Sequence, residues 1–182
     1  MPKNRSDNTE AADVVDVADV AVSIDPRDLR TALSQFATGV CIVAANGVAQ
    51  HPAPFAITVN SFASVSLAPP LVLWSVQKSS TTYPYWLETD TFGISVLNAG
   101  QAALCERYAI RDNHTMPTDE TYALSAAGNP LITDAIATFD CSVDALHDAG
   151  DHTIIVARVD ALVHDVTQEP LIYFRGDVRA SS

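Results

Sequence analysis

A chain of 182 residues that is 48% hydrophobic is long enough for one domain with a full core, and a second domain is not expected. Its formal net charge of -12, with only 10 Lys and Arg, excludes a phosphate-backbone binder, because neutralising nucleic acid requires clustered cations. No apolar run reaches the roughly 18 residues of a bilayer span, and Asp13, Asp16 and Asp19 interrupt the one candidate signal-peptide core, so a cytoplasmic protein with no membrane contact is expected. Cys41, Cys105 and Cys141 form no C-x-x-C pair and stand in apolar settings. They read as buried free thiols, and neither a metal site nor a disulfide framework is indicated.

Residues 1–24 run from polar into an Asp/Val/Ala stretch without aromatic residues or turn signals, the composition of a disordered acidic tail. A single domain is expected over 25–179. It begins with a helix: Asp25 suits the N-cap and Pro26 the first helical position, and Leu29, Ala32, Leu33 and Phe36 recur at a spacing that predicts a core-facing stripe. Residues 40–45 read as a short buried strand, and Asn46-Gly47 as a tight hairpin turn. Large and small side chains alternate over 55–59, the period of a half-buried strand, before the polar cluster of Asn60, Ser61 and Ser64. Such a strand end leaves amides and short hydroxyl groups able to face a ligand.

Pro69-Pro70 separates this segment from a strand over 71–76. Lys78, Ser79 and Ser80 then lead into a short helix through Tyr85, Trp86 and Leu87; these residues suit either a phosphate seat or an ordinary N-cap beside a solvated lysine. A strand over 91–97 and a helix capped by Asn98 follow, ending near Arg107 and Tyr108. Residues 110–130 read as a long loop with at most one helical turn. Strands over 137–146 and 153–164 flank a turn containing Gly150, Asp151 and His152, and 169–176 forms a last strand before a polar tail. Asp140 and Asp144 read as strand-exposed, and His51, His114, His147 and His164 as surface residues without metal-ligand spacing. Six or more short strands without β-α-β alternation predict an antiparallel barrel with a few flanking helices, and the seven scattered glycines form no Rossmann or Walker motif.

The run T-V-N-S-F-A-S-V-S-L-A-P-P-L-V-L over 58–73 resembles the T-x-x-S-F-x-S-V-S-x-x-P-P-L-V motif of the flavin reductase family. Arg107-Tyr108-Ala109 is similar to its R-F-A segment, Gly150-Asp151-His152 to its G-D-H turn, and 170–176 to its closing P-L-x-Y-x-R-G strand. The resemblance implies a mainly β FMN-binding split barrel, a Greek-key homodimer that transfers hydride from NADH or NADPH to FAD or FMN. The reduced flavin would serve a separate flavin-dependent monooxygenase in aromatic or secondary metabolism.

The same resemblance puts Thr58, Asn60, Ser61, Phe62, Ala63 and Ser64 near the flavin, and Lys78, Ser79, Ser80 and Arg107 near its phosphate. Gly150, Asp151, His152 and Tyr173 are implied at the nicotinamide, with His152 orienting it. Read without the family, His152 is a solvated turn histidine. The acidic chain favours NADH over NADPH, having little positive charge for an extra phosphate. Two alternatives use the same shell: a noncatalytic flavin or small-ligand barrel, and a flavoenzyme like the pyridoxamine-phosphate oxidases.

Overall fold

Asp25 accepts a hydrogen bond from the Arg27 N–H at 2.7 Å and caps helix α1 (Pro26–Leu33), as its position before proline requires. The computed structural model describes residues 24–118 and 121–180, so the expected acidic tail lies, but for Ile24, outside the described residues. The apolar stripe of α1 is not core-facing: no α1 residue is buried, and Leu29, Leu33 and Phe36 are 46%, 64% and 75% exposed. The helix stops at Leu33, and the chain turns directly into β1 (Thr38–Gly39), which pairs with a C-terminal strand. That docking holds α1 outside the barrel.

β2 (Cys41–Ala45) is buried on both faces. Cys41, Val43 and Ala45 enter one apolar cluster and Ile42 and Ala44 the other, which explains the unbroken apolar run. The connection to β3 (Phe55–Val59) is not a tight turn at Asn46-Gly47 but a longer loop clasped by a Val48–His51 bridge. Gly47 is required there by close approach, since a Cβ would lie 2.0 Å from the Pro52 carbonyl oxygen.

β4 (Ala63–Leu67) and β5 (Pro70–Gln77) form the next hairpin, followed by α2 (Tyr83–Leu87) and β6 (Thr91–Val96). Asn98 then opens a 3-10 turn with a capping box, and the turn runs on into α3 (Ala102–Ala109).

The segment expected to be a long loop contains a hairpin of β7 (Tyr122–Leu124) and β8 (Pro130–Ile132). Three-residue strands carry too little alternation to be read from sequence. Gly93 admits this hairpin against β6, because a Cβ there would sit 2.3 Å from the Pro130 carbonyl oxygen. Asn129 fastens it, accepting from the Thr91 hydroxyl at 3.0 Å and donating to Asp140 at 2.6 Å. Asp140 is therefore buried, contrary to the exposed position expected.

β9 (Ala137–Ala149) and β10 (His152–His164) form a long hairpin, and β11 (Leu171–Phe174) turns into β12 (Asp177–Ala180), a strand the polar composition concealed. Arg175 and Gly176, with φ of 53° and 87°, supply the left-handed pair that this turn needs.

Seven strands form one antiparallel sheet in the order β3-β2-β6-β9-β10-β5-β4. Its edges, β3 and β4, are consecutive in the chain. Laid flat, the edges would stand about 29 Å apart, yet the link from Val59 to Ala63 reaches at most about 14 Å. The sheet therefore curls into a barrel left open between β3 and the β4–β5 hairpin. Trp74, Trp86, Phe55 and Phe92 fill one cluster, while Tyr108, Leu97, Cys105 and Leu171 join α3 to the other. All three cysteines are buried and free, and burial pushes the Cys41 and Cys141 thiols up to about 12. Among the described residues no helix is long and apolar enough to cross a membrane.

Candidate functional site at the barrel opening

The opening in the barrel forms a groove of about 450 Å³, with Thr58, Asn60 and Ser61 on one wall and Ser75, Gln77 and His152 on the other. Strand alternation explains the second wall: Trp74 and Val76 point into the core, so Ser75 and Gln77 face away from it. Two of the expected donors hold the walls in place. The Ser61 hydroxyl accepts from the Ser75 N–H at 3.0 Å and donates to the Ser75 carbonyl at 3.4 Å, bridging the opening. The Thr58 hydroxyl donates to the Cys105 carbonyl at 2.8 Å, tying β3 to α3.

Among the described residues, the Asn60 and Gln77 side-chain amides have no hydrogen-bond partner, and neither do the main-chain N–H groups of Asn60, Ser61 and Phe62. Phe62 turns toward Phe139, their rings 5.5 Å apart, and with Ala63 it lines a separate apolar hollow beside α1. Ser64 is exposed on β4, opposite Val72. Tyr173 shares neighbouring hollows of about 460 and 260 Å³ with Asn60 and does not line the groove that holds His152.

His152 is the first residue of β10 and stands opposite Gln77 of β5. Gly150, at φ 65°, makes the turn that brings it there. The His152 Nδ1 lies 2.7 Å from an Asp151 carboxylate oxygen. A carboxylate only accepts, so Nδ1 is the donor in this bond and Nε2 is the ring nitrogen left facing away from Asp151. The same bond holds the Asp151 carboxyl below its usual range.

Lys78 is turned onto this hairpin. Its main-chain N–H donates to the Asp151 carbonyl at 2.9 Å, and its ammonium donates to the Gly150 carbonyl at 2.7 Å and pairs with Asp148. The Asp148 bond raises the Lys78 pKa. It lines neither the groove nor the hollow beyond it.

That hollow, of about 300 Å³, continues from the groove past Ile57, Thr58 and Gln77. Ser79, Ser80 and Thr81 line one side, Arg111 and His114 the other. Arg107 does not line it; its guanidinium lies over the Tyr108 ring, 5.4 Å from the centroid.

Residues 33–182 match the flavin reductase like domain. The chain belongs to that family. It is 45% identical over 138 residues to the FMN reductase (NADH) SmoA of Agrobacterium fabrum, covering 76% of each chain. It is 36% identical over 163 residues to HsaB of Rhodococcus jostii, the reductase subunit of a flavin-dependent monooxygenase, covering 88% of this chain and 80% of that one. Among solved structures, BorF, the flavin reductase component of a bacterial two-component tryptophan halogenase, aligns with a TM-score of 0.79 at 38% identity, over 86% of this chain and 98% of that one. The NADH:FAD oxidoreductase SgcE6 of Streptomyces globisporus, solved with NAD and FAD fragments, aligns with a TM-score of 0.79 at 34% identity, covering 87% and 96%.

The flavin reductase-like span contains both walls of the groove and the whole hollow, but only the last residue of α1. Within it, Ser75, Gln77, Arg111 and His114 are lining residues that sequence reasoning missed. Alternation along β5 could have found the first two. His114, read as a surface residue, is 9% exposed, its Nδ1 3.1 Å from the Ala56 carbonyl oxygen, and no local pattern announces that contact. Among the described residues no cluster of three or more His, Cys, Asp or Glu could hold a metal ion.

Proposed function

We propose that this chain is an NADH:flavin oxidoreductase, which moves a hydride from NADH to FAD or FMN and delivers the reduced flavin to a separate flavin-dependent monooxygenase. One observation carries the reading: the strand end at Thr58 and Asn60, the polar step at 77–81 and the hairpin bearing His152 all meet at one opening of the barrel. SmoA, HsaB, BorF and SgcE6 carry names of this kind of enzyme, and their similarity extends over most of the chain.

The residues fit a flavin by the chemistry of their donors. A bound flavin accepts the hydride at N5 and gathers negative charge along its N1–C2–O2 edge. Asn60, with the N–H groups of Asn60 to Phe62, supplies donors for that edge without an existing bond to break. Ile57 and Val59 give the ring an apolar contact, and the Ser61–Ser75 bridge holds the walls apart at a set spacing. His152 acts by orientation: its Nε2 accepts from the nicotinamide carboxamide, because hydride transfer from a dihydropyridine needs alignment rather than a proton.

Purified protein mixed with NADH and FAD or FMN is expected to consume NADH, followed by its absorbance. Tight flavin binding with no consumption would replace the enzyme by a flavin carrier.

We further propose a homodimer. The exposed stripe of Leu29, Leu33 and Phe36 adjoins the hollow lined by Phe62, Ala63 and Tyr173, beside Asn60, so a second copy covering it would border the flavin site. Sedimentation is expected to give twice the 19.4 kDa chain mass. A monomer at micromolar concentration would remove this assignment. Three buried free thiols support a reducing, cytoplasmic setting.

A further inference from the structure

We propose that Lys78 is a positioning residue for hydride transfer: it clasps the turn between β9 and β10 and so holds His152 at the groove wall. The proposal rests on the flavin reductase reading and deepens it.

The turn stands at the end of an arm supported from one side. β6 pairs with β9 only from Ala137 to Ser142, so among the described residues Asp144–Ala149 have β10 as their sole strand neighbour. On the other side β5 follows β10 as far as the pair Gln77 and His152, and the ladder ends there. Ends of this kind open locally at little free-energy cost unless something ties them. Lys78, the residue after β5, supplies the tie. Gly150 and Asp151 are the two residues between the paired Ala149 and His152, and both of their carbonyls accept from Lys78: Gly150 from the ammonium at 2.7 Å and Asp151 from the main-chain N–H at 2.9 Å. The ammonium also pairs with Asp148 on the β9 side, so one cation joins both arms of the turn. Beyond His152, the Tyr83 hydroxyl of α2 lies 3.0 Å from the Thr153 hydroxyl. His152 is thus bracketed, while among the described residues its ring is bonded to Asp151 alone. Asp151 is the link: its carboxylate holds Nδ1, and its carbonyl is held by Lys78. The Lys78 and Asp148 side chains are 34% and 81% exposed, and an ion pair that open adds little to global stability. Its effect falls on the placement of the ring, to which hydride transfer is sensitive.

The test places Lys78→Met and Lys78→Arg in the full chain, with and without His152→Ala, and follows NADH oxidation. Titrations with FMN and riboflavin and amide hydrogen exchange accompany it. Substitution keeps the main-chain bond and removes both ammonium bonds. Lys78→Met is expected to lower kcat/KM for NADH about three- to tenfold, to leave FMN affinity within about twofold, and to speed exchange over residues 149–153. Lys78→Arg, which can still pair with Asp148, should recover most of the loss. In the His152→Ala background Lys78→Met should cost less than about twofold more, because the group it positions is gone. An equal loss in both backgrounds would make Lys78 a direct NADH contact and overturn the proposal. So would unchanged NADH kinetics, or a weakening of FMN that spares riboflavin, which would put Lys78 on the flavin phosphate. Each of these leaves the enzyme reading standing. A wild type that consumes no NADH with either flavin removes that reading, and this one with it.

Discussion

Replacing His152 with alanine is expected to lower kcat/KM for NADH by about ten- to a hundredfold while flavin affinity stays within about twofold, because misalignment of a hydride donor costs rate rather than acceptor binding. The physical basis is the placement of the ring opposite Gln77 on the groove wall, with Nδ1 fixed by Asp151 and Nε2 facing away from it. Stopped-flow measurement of hydride transfer at saturating flavin separates the two quantities. A parallel loss of flavin binding would move His152 to the flavin side, and unchanged NADH kinetics would return it to the role of a turn residue. Asp151→Asn adds a control. It removes the carboxylate that fixes the tautomer but leaves the imidazole in the groove, so it should cost less than His152→Ala and act on the same NADH parameter.

The largest expected effect on stability is that of Trp86→Ala. Trp86 is fully buried and meets Phe55, Trp74 and Phe92 edge-on, at centroid distances of 4.7, 4.9 and 6.4 Å. Truncation leaves a cavity that these rings cannot fill, at a cost of about 3–5 kcal/mol. For a domain of this size that lowers Tm by about 10 °C. The substitution also reaches the site. The Trp86 indole N–H donates to the Thr82 hydroxyl at 3.1 Å, and that hydroxyl lies 3.0 Å from the Ser80 hydroxyl, so the polar step at 79–82 is held from inside the core. Trp86→Phe keeps one aromatic ring in the cluster and removes the N–H together with part of the indole; calorimetry should give it a smaller loss than the alanine variant. Equal losses would mean that the retained ring contributes nothing to the packing.

Much of the fold was legible because its signals are local. Asp25 and Asn98 sit where capping residues should, and the alternation over 55–59 and 71–76 marks β3 and β5. The unbroken apolar run at 40–45 marks a strand buried on both faces. The apolar stripe of α1 was equally legible, but periodicity reports which side of a helix is apolar and not what covers it. Among the described residues no part of the same chain buries it.

By itself, the sequence determined the family and the segments that build the site, because the motif over 58–73 and the turn at 150–152 are contiguous. Only the tertiary structure decided what each side chain does there. Lys78 and Asp148 are 70 residues apart, and His114 and Ala56 are 58 apart. Whether a lysine faces a ligand or a neighbouring hairpin depends on which partner folding brings within about 3 Å, and no pattern of short period along the chain encodes that distance.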